Sequence, residues 1–132
     1  MAATTVLTTV GKGLVTSFLT GLGSPVVPQY VAIGSGSTTA VVADTALTTE
    51  YTTGTWTGYA RIAGTATQTT VTVTNDTAQW VASWTAGASQ TVAEAGNFTL
   101  STVGLIFVHG SFTGVALSNG DSLQVTITCQ FT

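Results

Sequence analysis

The chain has 132 residues, yet only Lys12 and Arg61 are basic and only Asp44, Glu50, Asp76, Glu94 and Asp121 are acidic. Two basic residues cannot build a phosphate-binding stripe, which excludes a nucleic-acid partner. A 44% hydrophobic content with 5% charge is the reverse of the balance that keeps a chain disordered, and the length fits one domain spanning 1–132.

In chain order, the first element expected is a helix over about 10–22, where Val10, Leu14, Val15, Phe18, Leu19 and Leu22 recur at helical spacing before Gly23 and Pro25 stop it. From about 28 to 132 the chain reads as β. "PQYVAIGSGS" (28–37) is a short apolar strand running into a Gly/Ser turn, with no Lys or helix signal to make it a phosphate loop. "ALTTEYTTGTWTGYARIAGTAT" (46–67) is expected to hold one or two strands, and "TTVTVTND" alternates cleanly up to the turn former Asn75-Asp76. "AQWVASWTA", "TVAEAGNFTL", "GLIFVHGSF" and "DSLQVTITCQF" complete the set. Short strands between turn residues imply a β-sandwich or jelly-roll-like barrel with one N-terminal helix.

The last segment places Leu123, Val125, Ile127, Cys129 and Phe131 on one side and Gln124, Thr126, Thr128 and Gln130 on the other. A surface of Thr and Gln can be covered by a neighbour without stripping water from charges, so this face is expected to meet another protein surface. The lone Cys129 reads as a core residue. No apolar run is long enough to span a membrane, and the opening segment lacks the layout of a secretion signal. The triplets Asn75-Asp76-Thr77 and Asn97-Phe98-Thr99 match a glycosylation acceptor, a pattern frequent by chance.

Candidate sites are few. His109 ends an apolar strand and is the only histidine, so a structural or interface role is favoured over a catalytic base without an evident partner. Glu50 and Arg61 flank an aromatic, Thr-rich segment and would form a bidentate pair if that segment folds as a hairpin. Glu94 precedes Ala95-Gly96, where a turn or bulge could supply backbone N–H donors to the carboxylate. These charges are expected to fix local geometry or subunit contacts; a glycosidase pair of Glu50 and Glu94 is the less supported rival. Trp56, Tyr59, Trp80 and Trp84 are either core residues or a surface platform for sugars. One His and one Cys lack metal-ligand spacing, and no cofactor is expected.

The ordered segments "LTTVGKGLVTSFLTG", "PQYVAIGSGST", "ADTALTTE", "ARIAGTAT", "TVTNDTAQW", "TVAEAGNF" and "LSNGDSLQVTIT" resemble a family of small tailed-bacteriophage virion proteins. The match covers nearly the whole chain, least distinctively over 84–91. It departs at Asn97-Phe98, where the family often has Leu-Phe, and at Val108-His109, where it often has an Arg before the Phe of the penultimate strand. The resemblance implies a non-enzymatic structural protein, foremost a capsid decoration or cement subunit on the virion surface. Its expected partners are further copies of itself, as a homotrimer, and the major capsid protein or other virion subunits. A tail, baseplate or fibre component is the alternative within that class. A module binding host-surface glycans or another receptor is the alternative from outside it.

Overall fold

The computed structural model describes residues 3–132. Its elements are β1 (Ala3–Leu7), α1 (Thr9–Thr20), β2 (Tyr30–Gly34), β3 (Ile62–Ala63), β4 (Thr65–Thr69), β5 (Thr77–Thr85), β6 (Gln90–Phe98), β7 (Ile106–Leu117) and β8 (Ser122–Gln130). They form two antiparallel sheets, one of five strands in the order β1-β7-β6-β2-β3 and one of three in the order β4-β5-β8. The mainly β, sandwich-like fold with one helix is the expected one. Val31, Ile33, Ala95 and Val108 of the larger sheet share a core with Trp80, Ala82, Trp84 and Ile127 of the smaller. Because side chains alternate, the opposite face of the larger sheet carries Ala32, Glu94, Phe98 and His109. That second face is also buried.

The helix starts where expected and docks through its first turn. Thr8 caps it, accepting from the Gly11 N–H at 2.8 Å while its hydroxyl donates to the Ile106 carbonyl at 2.8 Å. A Cβ at Gly11 would run into the Phe107 carbonyl, so glycine lets the helix lie directly on the β7 backbone. Gly21 closes the helix in the left-handed conformation at φ 69°. The helix thus ends two residues short of the expected 22, at Gly21 and not at Gly23-Pro25. Its apolar face is buried only at its start: Leu14 is covered, whereas Phe18 and Leu19, and Leu22 beyond the cap, are exposed. The helix outruns the sheet beneath it.

Three expectations need correction. The "TTVTVTND" run is not a strand: the Asp76 carboxylate accepts from the N–H groups of Val71, Thr72 and Val73 at 2.8–2.9 Å and bends the chain around itself. Val71 and Val73 consequently stand in solvent. The strand is β4, which takes in only the first residue of the run, Thr69. Next, the one or two strands expected within 46–67 are present as β3 and the start of β4, but only at the end of that stretch: residues 46–61 form no strand, and Glu50 makes an isolated bridge to Gly34. Lastly, β1 was not anticipated. It is a short edge strand beside β7, with Ala3 opposite Phe112. Of the final segment, Phe131 lies beyond β8 and is exposed, while Ile127 is buried and Leu123, Val125 and Cys129 are half-buried as the alternation requires.

Candidate functional site

The segment 35–61 between β2 and β3 has no strand or helix of its own, unusual for a loop of this length in a compact domain. Two charge clusters hold it on the second face of the larger sheet.

The first cluster is built on Glu94, in β6 beside the register shift between Val92 and Glu94. Its side chain is 0% exposed. Oε1 accepts the N–H groups of Gly36 at 3.2 Å and Thr49 at 2.6 Å, and Oε2 accepts that of Thr48 at 2.8 Å. His109 on the neighbouring strand β7 directs Nε2 to Glu94 Oε2 at 3.0 Å and Nδ1 to Asp44 Oδ2 at 2.6 Å. Asp44 closes its own turn by accepting the Val41 N–H at 2.8 Å. Thus one histidine bridges the sheet to the segment's first half. Glycines make the approach possible: a Cβ on Gly36 would lie 2.5 Å from Glu94 Oε1 and 2.7 Å from Thr48 Cβ.

With a carboxylate on each ring nitrogen, His109 is held as the imidazolium, because a neutral ring would set a lone pair against a carboxylate oxygen. Burial disfavours its charge, but hydrogen bonds and attraction from Glu94 and Asp44 outweigh this and raise its pKa. Burial likewise pushes both carboxyls up, yet His109 and backbone N–H donors hold each below its ordinary value. Both ring nitrogens are occupied, so neither is free to exchange a proton with a ligand. Glu94, sealed from solvent, is not placed to flank a sugar with Glu50.

The second cluster is the expected Glu50–Arg61 pair. Arg61 Nε and one terminal nitrogen donate to the two carboxylate oxygens of Glu50 at 2.8 and 2.7 Å. The bidentate geometry is as expected, but no hairpin produces it. Glu50 is positioned by its bridge to Gly34 and Arg61 by its place just before β3. The remaining guanidinium nitrogen donates to the carbonyls of Leu100 and Val103, and the group lies 3.7 Å above the Phe98 ring. Tyr59 donates its hydroxyl to Glu50 Oε1 at 3.0 Å, and burial pushes this phenol far above its usual range. Arg61 therefore ties the segment's end to the loop 99–105.

Replacing Arg61 with lysine keeps the charge but loses the planar fork. We expect Arg61→Lys to lower stability by about 1–2 kcal/mol and to make the 99–105 loop the first site of limited proteolysis. Urea denaturation with proteolytic mapping checks both, and an unchanged midpoint and cleavage pattern would refute them.

Glu94 was expected to take donors from the adjacent Ala95-Gly96; its donors come instead from residues 36, 48 and 49. The surface platform of Trp56, Tyr59, Trp80 and Trp84 does not exist, because all four rings are 2–7% exposed. Trp56 and Tyr59 pack around Tyr51, and Trp80 meets Phe107 edge-on at 5.9 Å. The Trp84 indole donates to the Ala60 carbonyl at 3.0 Å and that of Trp56 to Thr85 at 3.3 Å, stitching the segment to β5. Among the described residues no group of three or more His, Cys, Asp or Glu side chains is arranged to hold a metal ion. Sequence reading did not single out Asp44 as the partner of His109. Compared with protein-family models, curated proteins and solved structures, the chain has no match.

Proposed function

We propose that this chain is a non-enzymatic structural subunit of a bacteriophage virion, a decoration or cement protein that stabilises the capsid by packing against copies of itself and against the shell. The observation that carries the reading is where the charges go. Asp44, Glu50, Arg61, Asp76, Glu94, His109 and Asp121 all bond within the chain, so that among the described residues only Lys12 carries a charged side chain without an internal partner. Besides the exposed Lys12 and Asp121 and the partly exposed Asp44, Glu50 and Asp76, the outside is mostly Thr, Ser, Gln and scattered apolar side chains, a surface that a neighbour can cover at little desolvation cost. The ordered resemblance of seven segments to small virion proteins supports the same reading. Internal clamps on a long segment suit a part whose task is mechanical.

Repetition over many copies would give such a subunit avidity even where a single contact of ordinary size, ~1,600 Å², is weak. A homotrimer at the local threefold positions of an icosahedral shell is the arrangement proposed. Quantitative mass spectrometry of purified particles tests the placement. Hundreds of copies per particle are expected, with lower heat resistance in capsids lacking the chain. A handful of copies would move it to the tail, and absence from particles would overturn the reading.

A further inference from the structure

We infer that β8 is an interaction edge, and that a second copy of this chain pairs with it antiparallel through its own β8 to join two three-stranded sheets into one of six. The contact rests on the reading of a self-associating subunit, not on the subunit's place in a virion.

β8 is the outer strand of its sheet and runs nine residues in unbroken register with β5. Soluble monomers blunt such edges with lysine, proline, bulges or short strands. β8 has none of these between Ser122 and Gln130. The other outer strands are short: five residues in β1 and β4, two in β3.

Backbone phase shows which groups are free. The Asp121 carbonyl accepts from the Ala86 N–H at 2.8 Å, and the Phe131 N–H donates to the Asp76 carbonyl at 2.9 Å. The odd-numbered residues of the strand therefore face β5, and Ser122, Gln124, Thr126, Thr128 and Gln130 direct their N–H and C=O groups outward. Among the described residues no other segment bonds the backbone of Gln124, Thr126 or Thr128.

This edge is complementary to itself. In an antiparallel pair centred on Thr126, each outward-facing residue meets another outward-facing residue, allowing about ten backbone hydrogen bonds. Val125 then lies opposite Ile127, Leu123 opposite Cys129 and Gln124 opposite Thr128 of the second copy. Apolar side chains meet apolar ones on the inner face, polar meet polar on the outer, and no charge is buried. The cleft between the sheets beside this edge, where Val108, Phe112, Val125 and Ile127 meet Thr5 and Thr128, would be closed off by the added strand. A foreign strand could use the same hydrogen bonds, but the register match selects a second copy. Such a pair is a twofold contact, so in a trimeric subunit it joins one trimer to the next.

The test is the mass of the full chain in solution by light scattering, with Thr126→Lys as the variant. Thr126 is exposed, so the lysine is accommodated in the fold, but it faces its own counterpart across the twofold axis. The wild-type particle is expected to have at least twice the mass of the Thr126→Lys particle. In a Cys129→Ser background, Thr126→Cys is expected to cross-link two copies on mild oxidation, because directly opposed residues bring Cα atoms within disulfide reach. Ser83→Cys, one strand inward on the same face, should not. A wild-type monomer at millimolar concentration overturns the contact, as does an unchanged mass with Thr126→Lys together with no cross-link through Thr126→Cys. Should Thr126→Lys fail to fold, the cross-linking arm decides alone. Neither result alters the copy number measured in particles, so failure of this contact is distinguishable from failure of the virion reading.

Discussion

Glu94→Ala is expected to lower stability by about 3–5 kcal/mol, the scale for removing one partner of a buried ionic contact. Domains of this kind have only about 5–15 kcal/mol in total, so the variant should be partly unfolded near physiological temperature. The loss has two parts. Three N–H groups on residues 36, 48 and 49 lose their acceptor, and the buried His109 loses one of its two carboxylates. Glu94→Gln should be milder. One amide oxygen can still serve Gly36 and Thr49, but the amide nitrogen then faces the Thr48 N–H, donor against donor. Hydrogen exchange separates this from general destabilisation. In Glu94→Gln the amide of Thr48 should lose protection first, ahead of those of Gly36 and Thr49, which keep an acceptor, and ahead of those of β5 and β8. Equal protection at all three amides would mean that the carboxylate is not what holds the segment.

The same residues show what could be read from the chain alone. The strands that became β5, β6, β7 and β8 were legible because each buries at least one apolar face, and alternation records that burial. "TTVTVTND" alternates equally well and failed, because a single carboxylate at Asp76 offers its backbone more local acceptors than a neighbouring strand does. The rarity of charge correctly drew attention to Glu50, Arg61 and Glu94. It could not reveal that His109 and Asp44 meet across 65 positions of sequence, since nothing local marks a contact made by folding a long segment over a sheet. The Gly/Ser turn expected after "PQYVAI" needs its glycines because the Glu94 carboxylate, the Thr49 carbonyl and the Thr48 Cβ press against Gly34 and Gly36. The aromatic residues gave the opposite lesson. Their large apolar area drives them inward wherever a core has room, and here the two layers and the long segment leave none of the four outside.

Stability should follow an asymmetric curve against pH, and His109 with its two carboxylates sets both limbs. Glu94 and Asp44 have lowered pKa values in the fold, so their contribution is complete above the unfolded carboxylate range, near ~4, and is lost as pH falls through the lower folded values. Asp76, also lowered by its backbone donors, adds in the same direction. His109 is raised, so its contribution is complete below the unfolded value of ~6.5 and fades as pH rises through the folded value. Cys129 and Tyr59, both raised by burial, steepen the loss only at more alkaline pH, where their unfolded forms ionise. Each single group can contribute a slope of at most about 1.4 kcal/mol per pH unit. Denaturation midpoints across pH should therefore be highest between the carboxylate and imidazole ranges and should begin to decline above pH ~6.5, well before thiol or phenol titrates. Asp44→Asn supplies the control. It removes one of the two charges that hold the proton on His109 while leaving an oxygen for the Val41 N–H. The alkaline decline in that variant should finish at lower pH than in the wild type. A wild-type curve flat from pH 6 to 8, or a decline unmoved by Asp44→Asn, would show that His109 does not carry its proton between Glu94 and Asp44.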